Sequence, residues 1–225
     1  MESEMKEKTK PLTNWSAPRL LAASFLLPLF IMLVVFATLQ ITPFGEKTML
    51  YGDASSYYIN EFINFRYQIS GERGFLYSFS KCLGGNNINT LGRLLSPFCW
   101  LMLLAGWIGI EQMFAVGIWL VTALYGVTMM LLLNKLFGCR FSNLIFSTSY
   151  ALMGFAVVYN YNVVFFCGPL CLPLMVLGLV FLFEGRSGLL YVLSIAYPLA
   201  SNFQMGYILC VASVLFFVAG CVLKQ

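Results

Sequence analysis

Residues 20–41, LLAASFLLPLFIMLVVFATLQI, contain no charged side chain and follow a polar segment, residues 1–19, that carries four basic residues. A helix needs about 20 apolar residues to cross the hydrocarbon core of a bilayer. The run is longer than the apolar core of a signal peptide, and no small-residue cleavage site follows before Pro43. The stretch therefore predicts an uncleaved first transmembrane helix, with the basic segment in the cytoplasm.

The rest of the chain has the composition of a membrane protein. Hydrophobic residues make up 60% of the sequence and charged residues only 10%, whereas about a quarter of the residues in a soluble domain are charged. Mean hydropathy is +0.83. Five more spans are predicted at residues 112–134, 141–158, 163–183, 188–201 and 204–223. The predicted fold is an all-α, polytopic transmembrane helix bundle.

The positions of the basic residues indicate whether the short apolar segment 94–110 crosses the membrane. If this segment does not cross, the cations that follow the later spans all face the cytoplasm, as the positive-inside rule prefers; these are Lys135, Arg140, Arg186 and Lys224. Residues 42–110 then form an extracellular loop with surface helices and a re-entrant or interfacial segment. Residues 111–225 hold the five further spans, and because the sequence ends directly after a span we expect a longer protein.

The outer loop concentrates the polar side chains, and residues 53–69 have a helical pattern. One predicted face is polar, with Glu61 at its edge; it contains Asp53, Tyr57, Asn60 and Asn64. The opposite face is an apolar stripe formed by Tyr58, Phe62, Phe65 and Ile69. Such a helix can lie on the membrane surface with its polar face lining a pocket.

Asp53 has two interpretations. It stands where an N-cap residue would, and Asp is among the preferred caps, so capping is the simpler role. The alternative is a general base or a metal ligand at the membrane face, where a carboxylate beside aromatic groups can have a raised pKa. The two roles are compatible.

Tyr57, Tyr58 and Glu61 are further candidates for substrate binding. The tyrosines are either ordinary interfacial aromatics or platforms for a sugar ring. Glu61 by itself is more typical of a solvated helix residue, paired with Arg66 or Lys47.

Arg66 and Asn86 complete the set of candidate site residues. Arg66 either contacts lipid headgroups or holds a substrate phosphate, for which the guanidinium fork is well shaped. Asn86 ends Gly84-Gly85-Asn86, which predicts either a plain turn or a backbone that closely approaches a ligand.

Several kinds of site are missing from the sequence. There is no His, the commonest metal ligand and general base, and there is no nucleotide-phosphate loop, zinc motif or nucleic-acid-binding pattern. The seven Cys form no CxxC pair. A bond between Cys82 and Cys99 is one alternative, but we expect free thiols, since most Cys lie in apolar runs.

Several short motifs resemble the YfhO family of bacterial membrane proteins. In order along the chain they are Pro43-Phe44-Gly45-Glu46-Lys47-Thr48, Gly52-Asp53 with Tyr57-Tyr58, Tyr77-Ser78-Phe79-Ser80, Leu83-Gly84-Gly85-Asn86, Leu95-Ser96-Pro97-Phe98, and Ser201-Asn202-Phe203 with Gly206-Tyr207. The resemblance extends over about residues 15–225. It implies the N-terminal part of a longer protein.

The family in turn resembles GT-C glycosyltransferases, which carry an Asp in the first outer loop and use polyprenyl-phosphate sugars. By this resemblance Asp53 is the catalytic carboxylate for hexosyl transfer, with or without a divalent metal. The implied partners are a polyprenyl-phosphate-linked sugar, a wall-polymer acceptor such as lipoteichoic acid, and membrane lipid, with no nucleic acid. No nucleotide site is needed, because the membrane supplies the donor.

Two other functions stay open at this point. A transporter or flippase of lipid-linked sugars would place ionisable groups inside the spans, and the predicted spans contain no Asp, Glu, Lys or Arg. A non-catalytic membrane assembly factor is compatible with the composition. The resemblance favours the enzyme.

Overall fold

The computed structural model describes residues 16–79, 84–86, 96–101 and 108–223. Within these residues the chain is predominantly helical, with one short antiparallel pair of strands, Tyr77–Ser78 and Gly85–Asn86. The helices are α1 (Ala17–Thr38), α2 (Ile59–Ile69, preceded by a π-helical segment, Ala54–Tyr58), α3 (Pro97–Leu101), α4 (Ile110–Phe137), α5 (Ser142–Ala151), α6 (Gly154–Val158), α7 (Cys167–Phe183), α8 (Leu189–Ser201) and α9 (Phe203–Leu223). A 3-10 turn, Val163–Phe165, precedes α7.

In the described part of the chain, four helical segments are long and apolar enough to cross a membrane, namely Ala17–Thr38, Ile110–Phe137, Val163–Phe183 and Phe203–Val222. They confirm the predicted all-α, polytopic membrane fold. The predicted spans 141–158 and 188–201 correspond to shorter helices. The first of these breaks after Ala151, and the chain resumes as α6.

Helix α4 is the central element of the bundle, because α1, α5 and α7 all pack against it. Gly126 allows the close approach of α1, since a Cβ at this position would collide with the backbone carbonyl of Ser24. Small residues serve the same purpose at many helix interfaces in membranes. Helices α8 and α9 pack on α7 at the side away from α1.

The described cations outside the loop after α1 lie at one end of the bundle, and we call it the basic end. Leu20 of α1 packs with Met130 of α4 and Leu144 of α5, so the start of α1 lies beside the end of α4 and the start of α5. At the same end, Lys135 Nζ lies 2.6 Å from a carboxylate oxygen of Glu184. Arg19, Arg140 and Arg186 lie next to these elements in the chain.

The opposite end, which we call the α2 end, holds the loop after α1. The Tyr58 hydroxyl donates a 2.6 Å hydrogen bond to Asn162 Oδ1, which joins this loop to the connection between α6 and α7. Asn202 Nδ2 donates to the Val164 carbonyl at 2.8 Å, so the turn between α8 and α9 lies here too. Asp53 and the basic end are therefore separated by the length of the bundle.

Helix α3 also lies at the α2 end. The Phe98 ring contacts the rings of Phe62, Phe114 and Phe166 with centroid separations of 5.3 to 5.7 Å. Since Phe114 is in the first turns of α4, residues 96–101 lie at the same end of the bundle as the start of α4.

Candidate functional site

The π-helical segment sets the orientation of the candidate site. Ala54 and Tyr58, at its two ends, are buried, while Ser55, Ser56 and Tyr57 between them are exposed. The hydroxyls of Ser55 and Ser56 both donate hydrogen bonds to the Gly52 carbonyl, at 3.0 Å. A π-turn holds more residues than an α-turn, so the residues before it and after it do not follow one helical repeat.

The predicted faces of residues 53–69 are only partly correct. Asp53, Tyr57 and Asn60 are exposed as expected, and Tyr58, Phe62 and Phe65 are buried. Three expectations are wrong: Asn64 is buried, Ile69 is 45% exposed, and Glu61 is buried rather than solvated.

The chain after α2 explains the altered burial. It folds back over one side of the helix, where Arg73 Nη1 donates to Asn64 Oδ1 at 2.8 Å. Gln68 Nε2 donates to the Gly74 carbonyl at 3.2 Å on the same side. This returning segment covers Asn64 and Gln68 and leaves Ile69 uncovered, which the helical period alone does not predict.

Asp53 lies at the start of the helical segment with an exposed side chain. Its backbone is already helical (φ −63°, ψ −25°), and its carboxylate makes no capping hydrogen bond. An N-cap residue has non-helical dihedrals and accepts from an amide of the first turn, so the simple capping interpretation of Asp53 is wrong. The carboxylate forms no hydrogen bond or ion pair with a described residue and is available to a ligand.

Tyrosine rings lie next to Asp53 on both sides in the chain. Tyr51 packs on Tyr161 with a centroid separation of 4.4 Å, and Tyr57 is 42% exposed. Partial burial, assisted by the neighbouring Tyr161, raises the pKa of Tyr51, so its hydroxyl stays protonated at neutral pH. Gly52 has a positive φ of 56°, a conformation that most other residues rarely adopt, and a Cβ there would lie 3.6 Å from the Tyr161 ring.

The connection between α6 and α7 contacts the candidate site, which was not predicted from the sequence. Asn160 and Asn162 are both buried, and Asn162 accepts the hydroxyl of Tyr58. The buried Asn160 Oδ1 has no hydrogen-bond partner among the described residues. The available signal was the polar sequence Tyr159-Asn160-Tyr161-Asn162 between two apolar runs. Tyr58 is therefore buried and hydrogen-bonded, whereas Tyr57 is 42% exposed.

Arg66 does not join Asp53. It lines a groove of about 320 Å³ together with Ile63, Tyr67, Ser70 and Glu72. Arg66 is thirteen positions after Asp53, which corresponds to roughly 20 Å along a helix. Its assignment as a ligand of a substrate phosphate stays a prediction. Arg73, beside the groove, stacks 4.5 Å from the centroid of the Tyr67 ring.

The last predicted site residue, Asn86, is described only in its backbone. Gly85–Asn86 pairs antiparallel with Tyr77–Ser78, and Gly84 has the positive φ expected of the turn. The Asn86 side chain lies outside the described residues, as do Lys81, Arg93 and the predicted alternative of a Cys82–Cys99 bond.

A divalent metal has little support at Asp53 in the described part of the chain. No three Asp, Glu or Cys side chains come together there in a way that could hold a metal ion.

The polar loop directly after the first long helix, and the later helices packed on α4, are matched as one unit by a family model. The model described as bacterial membrane protein YfhO matches residues 23–225. The chain belongs to the YfhO family. This YfhO-family chain has no match among curated proteins or among solved structures. Its family membership agrees with the resemblance and establishes a membrane protein, while the donor, the acceptor and the reaction belong to the proposal that follows.

Proposed function

We propose that this protein is a membrane glycosyltransferase that moves a sugar, a hexose by the family resemblance, from a polyprenyl phosphate to a hydroxyl of a cell-wall polymer such as lipoteichoic acid. The observation that carries the proposal is the carboxylate of Asp53. It is exposed, forms no hydrogen bond with a described residue, and lies in the loop that follows the first long helix. GT-C glycosyltransferases, which the family resembles, carry an Asp at this place.

The orientation in the membrane follows from charge. Lys135, Arg140 and Arg186 all belong to the basic end, and the positive-inside rule assigns such an end to the cytoplasm. Asp53 then faces the exterior, where wall polymers lie. Helix α3, packed at the same end, supports an outer loop that stays at one membrane face.

The reaction requires little from the protein beyond Asp53. The acceptor oxygen forms a bond to the anomeric carbon, and the bond from that carbon to the phosphate oxygen breaks. The electron pair of the broken bond leaves with the polyprenyl phosphate. Asp53 orients the acceptor hydroxyl and takes its proton, which then passes to water.

Exposed aromatic rings favour a sugar ligand near this carboxylate. Tyr51 is 46% exposed and Tyr57 is 42% exposed, and each is within a few residues of Asp53. An aromatic face can cover the apolar side of a sugar ring, and an interfacial Tyr keeps its ring near the acyl chains while its hydroxyl meets water. A lipid-linked donor brings its sugar to this depth.

The test is Asp53→Asn in the full-length protein, with Glu46→Gln as the matched control. Glu46 is an exposed carboxylate of the same loop, so the control makes the same change in charge. We measure transfer of labelled sugar from polyprenyl phosphate to the polymer in membranes with equal protein content. Loss of a general base typically lowers rates about 10²- to 10⁴-fold, so we expect at least a hundredfold decrease for Asp53→Asn and near-normal transfer for Glu46→Gln.

Normal transfer by Asp53→Asn at a normal protein level would contradict the proposal. If purified wild-type protein in vesicles moves the labelled donor across the bilayer without transferring sugar, the protein is a flippase. If it does neither, although its loss in cells stops glycosylation, it is an assembly factor. Both outcomes overturn the enzymatic assignment.

A further inference from the structure

A cleft at the basic end lies far from Asp53. It has a volume of about 400 Å³ and lies between the last turns of α4 and the first turns of α5. Its apolar wall consists of Met129, Leu133, Phe137 and Phe146. Polar groups are confined to Arg140, Ser142 and Asn143.

Hydrogen bonds hold the polar rim of the cleft in place. Asn143 is buried, and its Nδ2 donates to Asn134 Oδ1 at 3.0 Å and to the Gly138 carbonyl at 2.8 Å. These two bonds tie the start of α5 to the end of α4. The turn that carries Arg140 is therefore anchored on both sides, and the cleft is part of the folded structure.

The cations at this end differ in whether they form an ion pair. Lys135 and Arg186 both bind Glu184, with nitrogen–oxygen distances of 2.6 and 3.2 Å. Arg140 is exposed and forms no ion pair with any described residue. Its guanidinium has the planar donor fork that suits a phosphate, and it lies at the edge of an apolar wall.

The depth of the cleft in the bilayer fits a lipid. Helix α4 has 28 residues, about 42 Å at the usual rise, so it exceeds a hydrocarbon core of roughly 30 Å. Lys135 lies in its last turn, and a charged side chain favours the headgroup region over the hydrocarbon core. Phe137 is 56% and Phe146 62% exposed beside the cleft at this end. Basic pockets between helices at this level bind anionic headgroups.

We propose that the cleft binds an anionic phospholipid. The phosphate accepts hydrogen bonds from Arg140, and an acyl chain lies along the wall formed by Met129, Leu133, Phe137 and Phe146. The site does not depend on the proposed glycosyl transfer. It concerns the opposite end of the molecule.

The test is native mass spectrometry of the purified full-length protein, titrated with phosphatidylglycerol and with phosphatidylcholine of the same acyl chains. Arg140→Gln is compared with Arg186→Gln, which removes the same charge at the same end outside the cleft. One basic residue near a membrane surface contributes about 1 kcal/mol, which corresponds to roughly fivefold in affinity. We expect Arg140→Gln to weaken phosphatidylglycerol binding about fivefold, Phe146→Ala to weaken it as well, and Arg186→Gln to change it less than twofold.

Three results would overturn the proposal. Equal effects of Arg140→Gln and Arg186→Gln would mean a response to net charge alone. Equal binding of the two lipids by the wild-type protein would remove the role of the anionic headgroup. Displacement of the lipid by inorganic phosphate at concentrations similar to those of phosphatidylglycerol would indicate a site for free phosphate. Unchanged melting temperatures of the variants, measured alongside, ensure that the loss comes from the cleft.

Discussion

Each end of the bundle presents a carboxylate, and the two differ in their surroundings. Glu184, at the basic end, accepts from Lys135 at 2.6 to 2.8 Å and lies 3.2 Å from Arg186. Asp53, at the α2 end, is exposed and engages no described side chain. A carboxylate held by two cations connects helices, whereas an unengaged carboxylate is free to meet a ligand. The difference assigns a structural role to Glu184 and leaves the Asp53 carboxylate exposed for the proposed chemistry.

The largest expected effect comes from neutralising Asp53 and Glu184, one at a time. Asp53→Asn should lower glycosyl transfer at least a hundredfold and leave the melting temperature unchanged, because its carboxylate forms no hydrogen bond or ion pair with a described residue. Glu184→Gln should do the reverse, with transfer near normal and a lower melting temperature. Transfer assays and thermal unfolding of the full-length protein in detergent measure both quantities. The comparison fails if Glu184→Gln abolishes transfer while Asp53→Asn does not.

A smaller effect concerns the hydrogen bond that connects the loop after α1 to the connection between α6 and α7. Tyr58→Phe removes the donor to Asn162 and leaves a buried acceptor without its hydrogen bond, which typically costs about 1–3 kcal/mol. We expect a lower melting temperature. Tyr159→Phe, at an exposed tyrosine of the same end, is the control and should change stability by less than about 0.5 kcal/mol. Equal changes for the two variants would remove the special role of this hydrogen bond.

The smallest effect is a dependence of stability on pH. The hydrogen bond from Lys135, together with the nearby charges, lowers the pKa of Glu184 in the folded protein. Its stabilising contribution is therefore complete above the unfolded pKa, about 4.3, and is lost as the pH falls through the lower folded pKa. The melting temperature of the wild type should fall slightly more than that of Glu184→Gln over this acidic range. Parallel curves for the two proteins would contradict the pairing.

Much of the fold could be predicted from hydropathy. The four long helices begin and end within a few residues of the predicted spans, because uninterrupted apolar runs of this length have few alternatives in a membrane protein. The break after Ala151 was not predicted, since no proline marks it. Burial of Asn64 and Gln68 was missed because it depends on the chain that returns over α2, and helical periodicity contains no information about such a segment.

The candidate site was predictable only in part for the same reason. The exposure of Asp53 and Tyr57 follows from local spacing. The distinct role of Tyr58 depends on Asn162, more than a hundred positions later in the chain, and such a pairing is visible only in three dimensions. The groove that Arg66 lines with Tyr67, Ser70 and Glu72 also needed the structure, since helical spacing alone does not predict a groove.

The proposed function requires that Asp53 and the basic end lie on opposite sides of the membrane, with Asp53 outside. The most direct measurement is labelling by a membrane-impermeant maleimide in intact cells. Ser55→Cys and Ser187→Cys place single thiols at exposed positions of the two ends, in a protein whose seven native cysteines are replaced. We predict that Ser55→Cys is labelled in intact cells and that Ser187→Cys is labelled only after the cells are permeabilised. The reverse pattern would place Asp53 in the cytoplasm and contradict the account.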